Sequence, residues 1–304
     1  MDEKVTHLKL KSPAKINLGL KVLRKREDGF HELETLFQMV ALYDDIELEL
    51  RPSGIELAGH APGIPLDASN LAWRAANLLL QQVPAGSRQG VRIRLTKRIP
   101  AGAGLGGGSG NAAMVLLGLN VLWDLKMPRE ILLSLAAELG SDVPFFLTSP
   151  AAIGRGRGEI LESVQPSEKF YVLLVFPGFS IATAWVYQNL NLKLTKGENN
   201  ISILHKFLSE SRIADLGTSL FNDLEPIVIE RYSVIQVIKQ ALLALGAKGV
   251  LLSGSGSTVF GLFDNPEQAK IAYAKYESGD GGLFLAETVT RFSEFLPREM
   301  LSYP

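Results

Sequence analysis

The densest concentration of potential chemistry is the segment Pro100 to Ala113, PAGAGLGGGSGNAA, with six glycines within nine residues. Glycine accepts positive φ and lets a backbone approach a ligand closely. Successive N–H groups can then ring a phosphate, while a following helix aims the positive end of its dipole at the same anion. A flexible connector is the plain alternative, but so dense a run between a strand pattern and a helix pattern argues against it. Gly102, Gly104 and Gly107 satisfy the spacing G-x-G-x-x-G. That dinucleotide fingerprint needs a second parallel strand carrying an acidic residue about 20 positions on. Here the region stays helical, Asp124 falls at its far end, and another helix follows. No Lys-Ser or Lys-Thr pair closes the run as in a P-loop, and H-R-D and D-F-G are absent. The loop therefore predicts a nucleotide-phosphate site of another type.

Composition removes other chemistries. The 304 residues contain no cysteine, so disulfides, thiolate metal sites and thiol nucleophiles are excluded. The histidines (His7, His31, His60, His205) lack the spacing of a zinc pair. A net charge of -1 gives no global attraction to nucleic acid or anionic membrane, so anion binding must be local. The charged stretch Met1 to Lys11 is unlike a signal peptide, and no apolar run is long enough to span a bilayer. These features predict a soluble protein of the cytoplasm, or of an organelle stroma if a targeting segment was removed. Oligomeric state stays open.

The elements around the loop are readable from periodicity. Leu8 and Leu10 alternate with lysines, and Ile16, Leu18, Leu20 and Val22 with Asn17, Gly19 and Lys21, which predicts strands. Asp28-Gly29 marks a turn, and further β structure runs to Leu50. Gly59 to Pro65 reads as a loop. Asn70 suits the cap of a helix carrying Leu71, Ala75, Leu78 and Leu79. Val91, Ile93 and Leu95 form another half-buried strand. Helices are expected after the glycine run and over Pro128–Leu139. The second half reads as a buried strand at Lys169–Phe176, helices near 182–190, 201–209 and 227–245, and strands at 249–252 and 259–263. A helix from Pro266 and a strand near Leu283 follow. Gln165-Pro166-Ser167 resembles a linker, and the boundary between two domains, 1–160 and 161–304, is placed near residue 160.

The glycine run, SPAKINLGL near the N-terminus and LSGSGST near the C-terminus together resemble the GHMP kinase superfamily. DGFHELETLFQ, GSDVPFFL and FNDLE narrow the resemblance to the branch whose acceptor alcohol carries a cytidine diphosphate, in isoprenoid precursor synthesis. The motifs span both halves of the chain. The implied fold is α+β in two domains, the first of a ribosomal-protein-like type and the second a ferredoxin-like plait. The implied partners are ATP, Mg2+ and a small cytidine-bearing polyol, with the site in the cleft between the domains.

The resemblance assigns roles that isolated residues would not carry. Asp142 becomes the general base, or the group that orients the hydroxyl, and Lys15 the cation that keeps it ionised and stabilises transferred charge. Asn17 lies two residues after Lys15, on the same strand face, and is placed near the acceptor polyol. Phe30 and Tyr187 would sandwich the pyrimidine while His31 reads its edge, although core packing explains both rings equally well. Pro100, Ala101, Gly102, Ala103, Gly104, Leu105, Gly106, Gly107, Gly108, Ser109, Gly110 and Asn111 would bind ATP, with Ser109 reaching the metal. Asn70 would sit near the purine, unless capping alone accounts for it. Gly254 and Gly256 would close over the substrate from the second domain. Gly110 replaces the usual second serine, and Ala103 a glycine, so a hydroxyl ligand at 110 is lost. Arg24 to Arg26 reads as a solvated hairpin tip with a secondary attraction for a diphosphate. A GHMP enzyme for a different alcohol, and a nucleotide sensor without turnover, are the alternatives. A stacking pair speaks against the former, and the presence of Lys15 with Asp142 against the latter.

Overall fold

The computed structural model describes residues 6–84, 89–190, 200–277 and 279–301. Two unusually long strands organise the first half: β1 (His7–Lys25) and β2 (His31–Arg51) pair antiparallel along nearly their whole length. β3 (Ile55–His60), α1 (Leu71–Gln81), β4 (Gly90–Thr96), α2 (Gly107–Leu122) and α3 (Arg129–Leu139) follow, then β5 (Ala151–Arg155) and β6 (Ile160–Val164). β4 and β5 pair with successive stretches of the outer edge of β2, and β3 joins β4 in parallel. The second half contributes β7 (Tyr171–Phe176), α4 (Thr183–Gln188), α5 (Ile201–Ser209), α6 (Ile213–Thr218), β8 (Phe221–Asn222), α7 (Glu225–Arg231) and α8 (Val234–Ala244). It ends with β9 (Gly249–Leu252), β10 (Val259–Phe263), α9 (Pro266–Lys275) and β11 (Gly282–Glu287). Its antiparallel sheet has the order β11-β7-β10-β9. The nearly unbroken apolar run of β7 reflects a central strand covered on both faces.

Three clusters hold these layers. The first lies between β1, β2, β4 and helices α1 to α3; the second between the two sheets; the third under α8 and α9. α2 is apolar all round and almost wholly buried, as a central helix must be. The two-sheet cluster joins Ile16 and Leu18 of β1 to Val172 and Leu174 of β7 and to Phe260 of β10. Residues beyond β11 return to the first half, where Val289, Phe295, Leu296 and Met300 join the first cluster.

β1 and β2 do not keep one face throughout. Leu8, Leu10, Ile46 and Leu48 face the first cluster, yet beyond the register shift at Pro13/Ala14 that face receives Phe37 and Met39. Ile16 and Leu18 turn to the second cluster instead. This exchange frees the first-cluster side of β1 for Lys15 and Asn17, whose partners across the ladder are Met39 and Phe37.

Several elements differ from their sequence expectations. Gly59 is not loop but β3, where φ is +124° and a Cβ would stand 2.0 Å from the Leu95 carbonyl oxygen. The helix expected over 227–245 is two, α7 and α8. Tyr232 leaves helical geometry at φ -129°, ψ 77°, with its ring stacked on Phe179 at 5.1 Å and edge-on to Trp185 at 6.0 Å. α6 and the two-residue β8, which pairs in parallel with β1, had no periodic pattern to announce them.

Gly118 fixes how closely α2 approaches the sheet, because a Cβ there would stand 2.5 Å from Leu48 Cδ1 and 2.7 Å from Leu10 Cδ1. Gly118→Val is expected to cost about 1–3 kcal/mol through overpacking. A urea unfolding curve tests this: the midpoint should fall with the slope unchanged, and an unmoved midpoint would refute the close-packing account.

Candidate active site

Lys15 is 4% exposed, so its ammonium must be compensated inside the protein. Its Nζ donates to Asn17 Oδ1 at 2.7 Å and lies 3.5 Å from Asp142 Oδ2. The ammonium also sits 5.5 Å from the ring centre of Phe37. Asn17 Nδ2 donates to the Thr35 hydroxyl at 2.8 Å, and that hydroxyl donates to the Gly19 carbonyl at 2.6 Å. The hydroxyl has one proton and spends it on the carbonyl, so its oxygen must accept. Asn17 is thereby locked with its amide nitrogen toward Thr35 and its oxygen toward Lys15.

Asp142 comes from the opposite wall. α3 ends at Gly140, and a short turn of helix at Pro144–Leu147 is anchored by the fully buried rings of Phe145 and Phe146. The carboxylate stands between these anchors with its side chain 35% exposed, so it faces both Lys15 and the open cleft.

The glycine loop passes beside Lys15. Gly102, Gly104 and Gly106 have φ of +61°, +78° and +68°, a region L side chains seldom adopt. The Lys15 amide donates to the Leu105 carbonyl at 2.9 Å, and a Cβ on Gly106 would stand 2.9 Å from Lys15 Cγ. On its other side the loop meets the turn Ser253–Ser257. Ser253 Oγ donates to the Gly104 carbonyl at 2.9 Å, and the Thr258 amide to the Ala103 carbonyl at 3.1 Å. A Cβ on Gly104 would stand 2.1 Å from the Ser253 carbonyl oxygen. The second turn is held in its turn by Asn222, whose Nδ2 donates to the carbonyls of Leu252 (2.9 Å) and Gly254 (2.7 Å).

These walls enclose a cleft of about 930 Å³. Pro100 through Ser109 line it, as do Gly254, Gly256, Lys15, Asn17 and Asp142. Gly110, Asn111 and Asn70 do not. A Cβ on Gly110 would stand 2.7 Å from Ser12 Oγ and 3.0 Å from the Pro13 carbonyl oxygen, so glycine seats α2 against β1 there. Asn111 belongs to a buried network: its Nδ2 donates to Asp44 Oδ2 at 3.0 Å and its Oδ1 accepts from Lys97 Nζ at 2.9 Å. Lys97 also contacts Asp44 directly, while Asp44 Oδ1 accepts from the amides of Arg98 and Ile99. Burial lowers the Lys97 pKa, against the opposing pull of Asp44. Asn70 caps α1, accepting from the Ala72 amide at 2.9 Å and donating to the Pro65 carbonyl at 2.8 Å. Its neighbour Leu71 lines the cleft in its stead.

The far end of the cleft is aromatic. The His31 ring stacks on Tyr187 with centroids 5.0 Å apart and planes 27° from parallel. Phe30 stands apart, 53% exposed, with the Arg157 guanidinium 4.9 Å from its ring centre. So exposed a ring is not core packing, and both faces of Tyr187 are not reserved for a ligand. Burial, helped by Lys25, pushes the His31 imidazole below its ordinary range and keeps it neutral at pH 7. Burial, with Asp142 nearby, pushes the Tyr187 phenol up. Trp185 packs against Tyr232, as expected of a core residue.

Thr35, Phe37, Asp44, Lys97, Arg157 and Asn222 escaped the sequence reading. Each belongs to an ordinary strand or turn pattern. Thr35 and Phe37 in DGFHELETLFQ and the Asn in FNDLE sat within quoted motifs, without a role. Among the described residues no three His, Cys, Asp or Glu side chains gather to hold a metal ion. Magnesium commonly keeps its waters and is held by one carboxylate and substrate phosphates, a mode that Asp142 and the cleft-lining Ser109 hydroxyl fit.

Residues 70–149 match the GHMP kinases N terminal domain, and residues 204–280 match the GHMP kinases C terminal domain. The 4-diphosphocytidyl-2-C-methyl-D-erythritol kinase of Geobacter sp. (strain M21) is 45% identical over 275 residues, 90% of this chain and 96% of that protein. The enzyme of the same name from Acetivibrio thermocellus is 39% identical over 282 residues, 93% and 99% of the two chains. A crystal structure of 4-(cytidine 5'-diphospho)-2C-methyl-D-erythritol kinase superposes with a TM-score of 0.79 at 36% identity, covering 92% of this chain and 99% of that one. Homoserine kinase from Cytophaga hutchinsonii shares the fold, with a TM-score of 0.75 at 21% identity over 96% and 97% of the chains. By its α+β architecture and by these likenesses over nearly its full length, the chain belongs to the GHMP kinases.

Proposed function

We propose that the chain transfers the γ-phosphoryl group of ATP to the 2-hydroxyl of 4-diphosphocytidyl-2-C-methyl-D-erythritol, a step toward isoprenoid precursors by the non-mevalonate route. The observation that carries the reading is the Lys15–Asp142 pair, 3.5 Å apart beside the glycine loop, with an aromatic group at the other end of the same cleft. Its relatives' names support the acceptor. The two lobes, divided in chain order near residue 160, form the walls.

Phosphoryl transfer is positioning plus charge neutralisation. The backbone of Gly102 to Ser109 cradles the phosphates at the N-terminus of α2, where the helix dipole adds to the amides. Asp142 accepts a hydrogen bond from the attacking hydroxyl and takes its proton. Lys15 pairs with that carboxylate and offsets charge on the transferred group. Asn17 holds Lys15 and borders the polyol. Mg2+, bound by nucleotide phosphates with Asp142 and Ser109, would supply further charge neutralisation. The His31–Tyr187 stack and Phe30 receive the cytosine.

ADP formation with the cytidine-bearing polyol, set against mevalonate as acceptor, tests the substrate directly; turnover of mevalonate alone would defeat the reading. Asp142→Ala is expected to lower kcat by at least about a hundredfold, in the range of acid–base contributions, while the protein still binds ATP. Near-normal turnover in that variant would remove Asp142 from the chemistry.

His31 offers a pH-dependent check. Its folded pKa is depressed below 6.5, so the unfolded chain binds more protons between the two values. Stability from this group is therefore present above 6.5 and lost as pH falls through the folded pKa. The imidazole resonances should titrate with a midpoint below 6.5, and Lys25→Gln should raise it. A midpoint at or above 6.5 would contradict the buried, stacked geometry.

A further inference from the structure

The turn joining β5 to β6 connects the two chemical ends of the cleft. At one end a Cβ on Gly158 would stand 3.9 Å from Asp142 Oδ1 and 3.6 Å from the Phe37 ring. At the other, the guanidinium of Arg157, the preceding residue, lies over Phe30, and Arg157 itself lines the cleft. Gly156 and Gly158 flank it with φ of +70° and +109°, so Arg157 is carried at the tip between two left-handed residues.

An acceptor with its base at the aromatic end and its hydroxyl at Asp142 must run whatever joins them past this residue. In a cytidine-diphosphate polyol the connection is the diphosphate. Arg157 suits it in three respects. Its backbone amide donates to Glu159 Oε2 at 2.6 Å, and its Nε lies 3.5 Å from Glu159 Oε1, so both chain and side chain are held in place. Among the described residues its terminal nitrogens form no hydrogen bond to the protein, which leaves the donors of a planar fork for a ligand. Its side chain is 31% exposed, open enough to be reached and covered enough to be ordered by Phe30. The charge is also locally needed: among the described residues Asp142 is the one carboxylate lining the cleft, and a diphosphate brings more negative charge to it.

We infer that Arg157 binds the diphosphate of the acceptor and so determines specificity for cytidine diphosphate-bearing substrates over smaller alcohols. The inference rests on the acceptor named above. Its competitor is that Arg157 merely props the Phe30 ring. Binding of CDP and of cytidine to the full chain, followed by NMR titration, separates the two. Arg157→Gln should weaken CDP by about tenfold or more, the loss of a charged hydrogen-bonded contact, and cytidine by less than about twofold. Arg157→Lys should restore part of the CDP affinity and, lacking the fork, not all of it. The acceptor KM should rise alongside the loss of CDP affinity, with the ATP KM held. Arg155→Gln removes the same charge from the same hairpin, outside the cleft, where Arg155 pairs with Glu34 and Glu162, and should leave CDP binding intact. Equal losses for CDP and cytidine, no loss for either, or a wild-type chain that fails to bind CDP would each overturn the inference. Wild-type protein that binds CDP but does not phosphorylate the polyol would instead defeat the acceptor reading, leaving the Arg157 result standing.

Discussion

The structure turns on one buried cation. An ammonium with almost no access to water is tolerated only where oxygen lone pairs and opposite charge replace its hydration. For Lys15 these are the Asn17 carbonyl oxygen, the Asp142 carboxylate and, more weakly, the face of Phe37. Supplying them constrains three elements at once. β1 must exchange faces at Pro13/Ala14 so that Lys15 and Asn17 leave the second core, β2 must bring Thr35 and Phe37 opposite, and the turn after α3 must deliver Asp142. The same interaction keeps Asp142 near a cation while the cleft keeps it near solvent.

The second constraint is backbone meeting backbone. The loop after β4 and the turn after β9 approach so closely that Gly104 has no room for a Cβ beside the Ser253 carbonyl, and four hydrogen bonds run through this junction and its Asn222 support. The glycine loop is thus not an appendage of the first sheet. It is shared between the halves, and any relative movement of the two sheets would displace its amides. The two-sheet core of Ile16, Leu18, Val172 and Phe260 opposes that movement.

Much of this was legible in the sequence, for definable reasons. Element types followed from apolar periodicity and from glycine and proline punctuation, which are local properties. The loop, Lys15 and Asp142 were found through motifs, and the cleft brings them together as expected. What failed was non-local. Leu8, Leu10, Ile16 and Leu18 form one even-numbered alternation in the sequence, and nothing in it marks that the two pairs enter different cores. The break at Tyr232 depends on Phe179 and Trp185, over 40 residues away in the chain. Asn111 stood within the phosphate motif but its amide is spent on Asp44 and Lys97, while Asn70 is spent on capping. Sequence position places a residue near a site; it does not say which way its hydrogen bonds run.

Those hydrogen bonds also decide which cations the cleft can use. Lys15, Lys25, Lys97 and Arg157 line it, in a chain whose net charge is -1. They are not equivalent. Lys97 is buried with its charge engaged by Asp44 and Asn111, so it braces the start of α2 more than it attracts anions. Lys15 is committed to Asp142. Lys25 and the terminal nitrogens of Arg157 lie toward the aromatic end, whereas the glycine loop presents backbone dipoles. The cleft therefore divides its work by physical means. On the proposed reading, amides and a helix terminus, which cannot be titrated and hold a fixed geometry, serve the nucleotide whose phosphorus must be placed in line. Side-chain charge then serves the partner that has only to be held.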